Sequence, residues 1–254
     1  MKRFKQYLLD MDGTIYLGGR AIDGAAEAVE KMRRNGKVLF LTNNTSASRD
    51  FYVQKLHALG FTATKEEIFT AGNAAAVYIK NHYVDAKVFL LGTPSLCREF
   101  EEYGITLEEE SPDLAVVGFD TTLTYGKLAK LCGFIRRGIP YIATHPDINC
   151  PTADGYIPDV GSITALIEAS TGRKPDCVCG KPNAVMARAV EALTGAKGKD
   201  VAMIGDRLYT DMRFAADNGF YSVLVLSGEA TKADLDASGI KVDRVVRSVA
   251  EFAE

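Results

Sequence analysis

The sequence predicts an α/β protein: a Rossmann-like core on a mainly parallel sheet, with a second α/β domain inserted into it. Two observations predict the class. Short leucine-rich or β-branched runs alternate with amphipathic stretches from one end of the chain to the other, the pattern of βαβ units. Most of these runs are continuously apolar, which suits strands covered on both faces by crossover helices. A third observation, the uneven spacing of four polar strand ends, predicts the insertion.

In chain order, strands are expected at Tyr7–Leu9, Val38–Leu41, Val88–Leu91, Leu114–Val117, Tyr141–Ala143, Cys177–Cys179, Val201–Ile204 and Val223–Leu226. Between them, Ala25, Val29 and Met32 share one helical face, with Gly36 as a stop. Phe51, Leu56 and Leu59 share another, behind the capping signals Ser46 and Ser48 and ahead of Gly60. Further helices are expected at Ala74–His82, Pro94–Tyr103, Tyr125–Arg137, Ser162–Thr171, Asn183–Leu193 and Thr210–Asp217. Glu108-Glu109-Glu110 reads as a solvated turn.

The chain of 254 residues allows one large domain or two smaller ones. With 47% apolar and 25% charged residues, and 23 Gly and 8 Pro, it is neither disordered, collagenous nor a coiled coil. A formal charge of -3 provides no global positive field to gather nucleic acid or an anionic membrane, so an anionic ligand must be gripped locally. Five cysteines form no disulfide framework and point to a reducing, cytoplasmic setting. No run approaches the ~20 apolar residues of a membrane span. The basic start Met1–Lys5 is followed by an apolar run cut by Asp10 and Asp12, so export is not expected.

Chemistry collects at four strand ends. Leu8-Leu9 runs into Asp10-Met11-Asp12-Gly13-Thr14, Phe40-Leu41 into Thr42-Asn43-Asn44, Val178-Cys179 into Gly180-Lys181-Pro182, and Met203-Ile204 into Gly205-Asp206-Arg207 with Asp211 behind. In open α/β sheets ligands bind beyond the carboxyl ends of the strands. Carboxylates crowded there repel one another and call for a cation; an oxygen-only donor set suits Mg²⁺. With a lysine, a hydroxyl and loop amides, they form a clamp for a phosphoryl group. A glycine such as Gly13 lets amides approach the anion. Aspartate can attack phosphorus, and a second carboxyl two residues on can protonate the leaving alkoxide and then activate water.

Asp10-x-Asp12-Gly13-Thr14, Thr42, Lys181 and Gly205-Asp206-x4-Asp211 resemble, in order and strand context, the four motifs of the haloacid dehalogenase superfamily of phosphatases. Leu41-Thr42-Asn43-Asn44, Gly180-Lys181-Pro182, the string Gly205–Asp211 and Thr171-Gly172-Arg173-Lys174-Pro175 resemble its NagD and p-nitrophenyl phosphatase subgroup. The resemblance implies a Mg²⁺-dependent hydrolysis of small phosphate monoesters through an aspartyl-phosphate. It makes Asp10 the nucleophile and a metal ligand, Asp12 the acid/base and a ligand through its carbonyl, and Asp206 the third ligand. Asp211 would orient the metal's surroundings, and Gly13, Thr42, the Asn43 amide and Lys181 would hold the phosphate. The expected partner is a small phosphorylated metabolite; caps of this type pair in some relatives, which leaves a homodimer through the cap open. A phosphotransferase or mutase, or a non-catalytic phosphometabolite-binding protein, are the alternatives.

Spacing carries its own information. Between Asp12 and Thr42 lie 29 residues, room for a flap at Tyr16–Gly19 and one helix; between Thr42 and Lys181 lie 138, far beyond one crossover. The expected division is therefore a discontinuous core, 1–79 and 176–254, with an inserted C2-type cap, 80–175. A cap excludes water and contacts the unreacting part of a substrate. Sugar-phosphate mutases resemble a different layout, with the cap between the first two motifs. Within the expected cap, Thr144-His145-Pro146-Asp147 follows a strand, so His145 and Asp147 are candidates to face the substrate, with a plain turn as the alternative. Cys177 and Cys179 would share one strand face and read as packed core, not as half a zinc site.

Overall fold

The computed structural model describes residues 2–152 and 154–253. The α/β class and its Rossmann-like parallel sheet are borne out. Strands β1 (Gln6–Leu9), β4 (Lys37–Thr42), β5 (Ile68–Thr70), β12 (Val201–Gly205), β13 (Tyr221–Val225) and β14 (Arg244–Val246) form one six-stranded sheet in the order β14-β13-β12-β1-β4-β5. β1 lies between β12 and β4, parallel to both, and all four of its residues are buried. That full burial explains why its sequence is an unbroken apolar run with Gln6 as the one exception, whose side-chain amide donates to the Tyr7 carbonyl at 3.1 Å. The short antiparallel pair β2 (Tyr16–Leu17) and β3 (Arg20–Ala21) stands where the flap was expected.

A second sheet has the order β11-β8-β7-β6, from β6 (Val88–Leu91), β7 (Leu114–Val117), β8 (Tyr141–Ala143) and β11 (Cys177–Val178), all parallel. Helices α5 (Tyr125–Arg136) and α6 (Val160–Thr171) close a core in which Phe89 and Phe134 pack with ring centroids 5.0 Å apart among Leu91, Val117, Tyr141 and Ile167. Truncating one of these side chains to alanine costs about 2–5 kcal/mol. Helix starts are specified locally: Thr70 and Asn73 form a reciprocal capping box for α3 (Ala71–His82), and Thr93, ahead of Pro94, caps α4 (Pro94–Glu102). Asp159 caps α6, which stops at left-handed Gly172.

The chain divides into two compact units. One contains 1–42, 49–69 and 190–254; the other contains 43–48 and 70–189. The first unit also holds α1 (Ala25–Arg33), α2 (Arg49–Ala58), α8 (Arg213–Asp217), α9 (Lys232–Ser238) and α10 (Val249–Phe252). The second holds the exposed antiparallel ribbon β9 (Asn149–Thr152) and β10 (Gly155–Pro158) and the start of α7 (Ala184–Thr194). No helix among the described residues is long and apolar enough to cross a membrane.

Several features differ from the sequence expectation. The strands β5, β14, β9 and β10 were not expected because each is short and broken by a polar residue, Gly or Pro, and α9 and α10, at seven and four residues, are too short to show a helical period. The helix expected from Thr210 begins instead as a π-helical turn, Leu208–Met212, before α8. The strand ahead of Lys181 falls in the expected core division, 176–254, yet β11 pairs with β8 as an edge strand of the second sheet, Cys177 opposite Ile142. Its residues are only half-buried, and an apolar run of three cannot distinguish an edge from a centre.

The two cysteines of this edge interact. A hydrogen bond from Cys179 brings the Cys177 thiol down to about 6, against its partial burial and helped by Tyr78, Arg188 and His82. The Cys179 thiol is pushed up by its bond to Cys177 and by burial. Burial also raises Cys97. Cys177 should therefore be a thiolate at pH 7 and react with iodoacetamide well ahead of Cys97, its rate falling as pH drops through 6; peptide mass mapping after brief alkylation at pH 5 and pH 7.5 checks this.

Candidate active site

The site in the first unit follows from strand register. Leu9 of β1 sits opposite Ile204 of β12 and Phe40 of β4, so the residues just past these strands, Asp10 and Asp206, emerge side by side, with Thr42 at the end of β4 on the other flank. The Asp10 N–H extends the ladder by donating to the Ile204 carbonyl at 2.9 Å. Asp211 is returned toward the strand end by the π-helical turn, where its Oδ2 accepts the Arg207 N–H at 3.1 Å. Gly205 makes this return possible: a Cβ there would overlap the Asp211 carboxylate. One oxygen from each of Asp10, Asp206 and Asp211 lies within 4.8 Å of the others.

Asp206 is buried and tightly framed. Its Oδ2 accepts the Glu229 N–H at 2.7 Å, and a Cβ on Gly13 or Gly228 would overlap its carboxylate. Gly13 has φ +84°, a left-handed conformation that favours glycine on its own account, and its carbonyl accepts from Ser227 Oγ at 2.8 Å. Three carboxylates at this separation repel one another, and an oxygen-only set of this size fits a hard divalent cation. Arg207 answers part of the charge. Burial disfavours its guanidinium, but the negative charges of Asp10, Asp206 and Glu229, together with Tyr209, hold its pKa above the usual arginine value.

Asp12 is half-buried, and its carboxylate is not one of the trio. Burial raises its pKa above the usual aspartate value, against the opposing charges of Lys55 and Arg207. A carboxyl that keeps its proton to higher pH is equipped to act as an acid.

Asn43 and Lys181 belong to the second unit. Lys181 is 2% exposed, a burial lysine adopts where its ammonium meets an acceptor or an anion. Its peptide is gripped by the Asn43 side chain: the Lys181 N–H donates to Asn43 Oδ1 at 2.8 Å, and Asn43 Nδ2 donates to the Lys181 carbonyl at 2.9 Å. The same Nδ2 reaches Asp147 Oδ1 and Oδ2 at 3.1 and 3.2 Å. His145 is wholly buried, its Nδ1 3.7 Å from Asp147 Oδ2 and its Nε2 3.5 Å from Asp159 Oδ1. The predicted residues thus form two groups, Asp10, Gly13, Asp206 and Asp211 in one unit and Asn43, Lys181, His145 and Asp147 in the other, while Thr42 and Asn43 are consecutive in the chain.

Known proteins converge on the same reading. The haloacid dehalogenase-like hydrolase family matches residues 7–106 and the HAD-hydrolase-like family residues 178–252. The 5'-nucleotidase YutF of Bacillus subtilis is 34% identical, over 99% of this chain and 98% of its own length. The chain belongs to the haloacid dehalogenase superfamily. The solved 4-nitrophenylphosphatase of Thermotoga maritima superimposes with a TM-score of 0.95 at 44% identity, over 98% of this chain and 96% of that one. The glycerol phosphate phosphatase of Mycobacterium tuberculosis, solved in complex with calcium, gives a TM-score of 0.90 at 30% identity, over 98% of this chain and 74% of its own. Within the superfamily this is a phosphoric monoester hydrolase of the branch that holds NagD and the p-nitrophenyl phosphatases.

Several contributors to the hydrolase site were not legible in sequence. Arg207 stands inside a quoted motif but carries no signal separating it from a surface arginine. Lys55 lies on α2, where one more basic residue in the last turn looks like dipole compensation. Asp159 reads only as the cap that it also is.

The framing of Asp206 is testable. Gly228→Ala should displace that carboxylate and weaken divalent-cation binding by roughly tenfold, about 1.4 kcal/mol, measured by calorimetric titration. Gly19→Ala, with nothing within 4 Å of its Cβ, should leave binding unchanged.

Proposed function

We propose that the protein is a Mg²⁺-dependent phosphatase that hydrolyses small phosphate monoesters through a phosphorylated Asp10. One observation carries the reading: the trio Asp10, Asp206 and Asp211 gathered at the ends of the adjacent strands β1 and β12, with Asp12, whose pKa burial raises, two residues beyond Asp10. The oxygen-only donors support a hard cation, held by the Asp10 and Asp206 carboxylates and the Asp12 carbonyl and oriented by Asp211. When bound, Mg²⁺ would supply the charge neutralisation that lets an anionic phosphate enter among carboxylates.

An Asp10 carboxylate oxygen attacks phosphorus as the bond to the leaving oxygen breaks, and Asp12 gives its proton to that oxygen. Asp12, now a carboxylate, takes a proton from the water that attacks phosphorus, freeing inorganic phosphate and regenerating Asp10. The non-bridging oxygens are assigned to the Thr42 hydroxyl, the Asn43 amide and the Lys181 ammonium; the Gly13 N–H, expected among them, donates instead to the Tyr16 carbonyl at 2.7 Å. Recognition of the leaving group is assigned to the inserted α/β segment, 80–175. The activities named for the nucleotidase, acid sugar phosphatase and glycerol phosphate phosphatase relatives support a substrate range that includes nucleoside monophosphates, sugar phosphates and glycerol phosphate. Five free cysteines support a reducing, cytoplasmic setting.

With p-nitrophenyl phosphate and Mg²⁺, turnover should be lost on chelation with EDTA and restored by added Mg²⁺. Asp10→Asn should lower kcat by roughly 1,000-fold or more with an unchanged circular dichroism spectrum. Tight phosphate binding without turnover would favour a sensor, and phosphoryl transfer to an added sugar in place of release would favour a phosphotransferase.

A further inference from the structure

We propose that Asn43, Asp147 and His145 are positioning residues that act on the reaction through Lys181, and that His145 and Asp147 do not read the leaving group. The inference rests on the reading of Lys181 as a phosphate-holding residue and goes beyond it by saying what holds the lysine.

The Asn43 carboxamide is used at both ends. Its oxygen and nitrogen engage the N–H and carbonyl of one residue, Lys181, as a neighbouring strand would, at 2.8 and 2.9 Å. An amide can do this in only one of its two flipped orientations, and the flip is fixed from outside. Both oxygens of Asp147 accept from Asn43 Nδ2, and a carboxylate accepts without donating, so it rejects the orientation that would bring the Asn43 oxygen toward it. His145 stands between Asp147 and Asp159, its Nδ1 3.7 Å from Asp147 Oδ2 and its Nε2 3.5 Å from Asp159 Oδ1, and Asp159 is fixed by the N–H of Val160 at 2.7 Å at the start of α6. A line of buried polar side chains thus runs from a helix cap to the peptide of the lysine.

The backbone is shaped to admit this line. A Cβ on Gly180 would come within 2.6 Å of both Asn43 Oδ1 and His145 Cβ, so only glycine lets the residue before Lys181 pass between them. The Gly180 N–H is tied to the Thr144 carbonyl, next to His145, at 2.6 Å. Burial argues the negative half of the proposal. The His145 side chain is fully buried and that of Asp147 is 9% exposed, with both Asp147 oxygens already accepting from Asn43.

The test is a double-mutant cycle on kcat/KM with three substrates of different leaving group: p-nitrophenyl phosphate, glycerol phosphate and a nucleoside monophosphate. Asp147→Ala should lower kcat/KM about tenfold by the same factor for all three. Asp147→Asn, which keeps an oxygen to accept from Asn43, should recover most of it. In a Lys181→Met background, Asp147→Ala should have no further effect beyond about twofold, because the residue it acts through is gone. Unequal factors among the substrates would overturn the proposal in favour of leaving-group recognition. A full tenfold loss added to Lys181→Met would overturn it while leaving the phosphate-holding role of Lys181 intact. An unaffected kcat/KM in Lys181→Met alone would overturn that role, and this inference with it. Should Asp147→Ala fail to fold by circular dichroism, Asn43→Ser, which removes both ends of the amide bridge, takes its place in the cycle with the same expected and overturning results.

Discussion

The first unit is arranged around one electrostatic problem: three carboxylates whose oxygens approach within 4.8 Å of one another, two of them wholly buried. At an effective dielectric near 20, a pair of unit charges about 4 Å apart costs roughly 4 kcal/mol. The fold meets that cost with rigidity and local counter-charge. Asp10 and Asp206 are set by the ladder between β1 and β12, Asp211 by a hydrogen bond to the Arg207 amide, and the Arg207 guanidinium sits in their combined field. Glycines at 13, 205 and 228 leave the space the carboxylates occupy. None of these residues could be exchanged for a larger one without moving a charge.

The second unit solves a different problem, the burial of a lysine. Around its backbone stands a group of polar side chains: an asparagine that engages the Lys181 peptide as a strand partner would, a carboxylate that accepts from the asparagine, and a buried histidine between that carboxylate and the helix cap Asp159. Such networks specify one arrangement because each alternative leaves a buried group unmet. Asn43 shows how one side chain divides its work, its oxygen accepting from the Lys181 N–H while its nitrogen donates both to the Lys181 carbonyl and to Asp147.

The fold class was legible because the strands that matter are long enough and buried enough to be unbroken apolar runs; β1, β6, β7 and β12 show no exposed residue. The candidate residues were legible because they stand at the ends of those runs, where a charge directly after four buried residues is conspicuous. What stayed hidden was relational. The sheet that receives Cys177–Val178 depends on pairing with Ile142, and the counter-charges Lys55 and Arg207 matter only through the field they share with Asp10 and Asp12. The π-helical turn that brings Asp211 back has no periodic signature in five residues.

The place of β1 has a consequence for how the molecule is made. Gln6–Leu9 is an interior strand, and one of its two partners, Val201–Ile204, leaves the ribosome only some 190 residues after it. The second unit draws almost entirely on one contiguous stretch, 70–189, synthesised in between. Nascent β1 must therefore wait, with one apolar edge open, while some 190 residues follow, and long-range closure of this kind is slow and exposed to aggregation. The same pairing that sets Asp10 beside Asp206 ensures that no product interrupted before β12 carries both carboxylates at one strand edge.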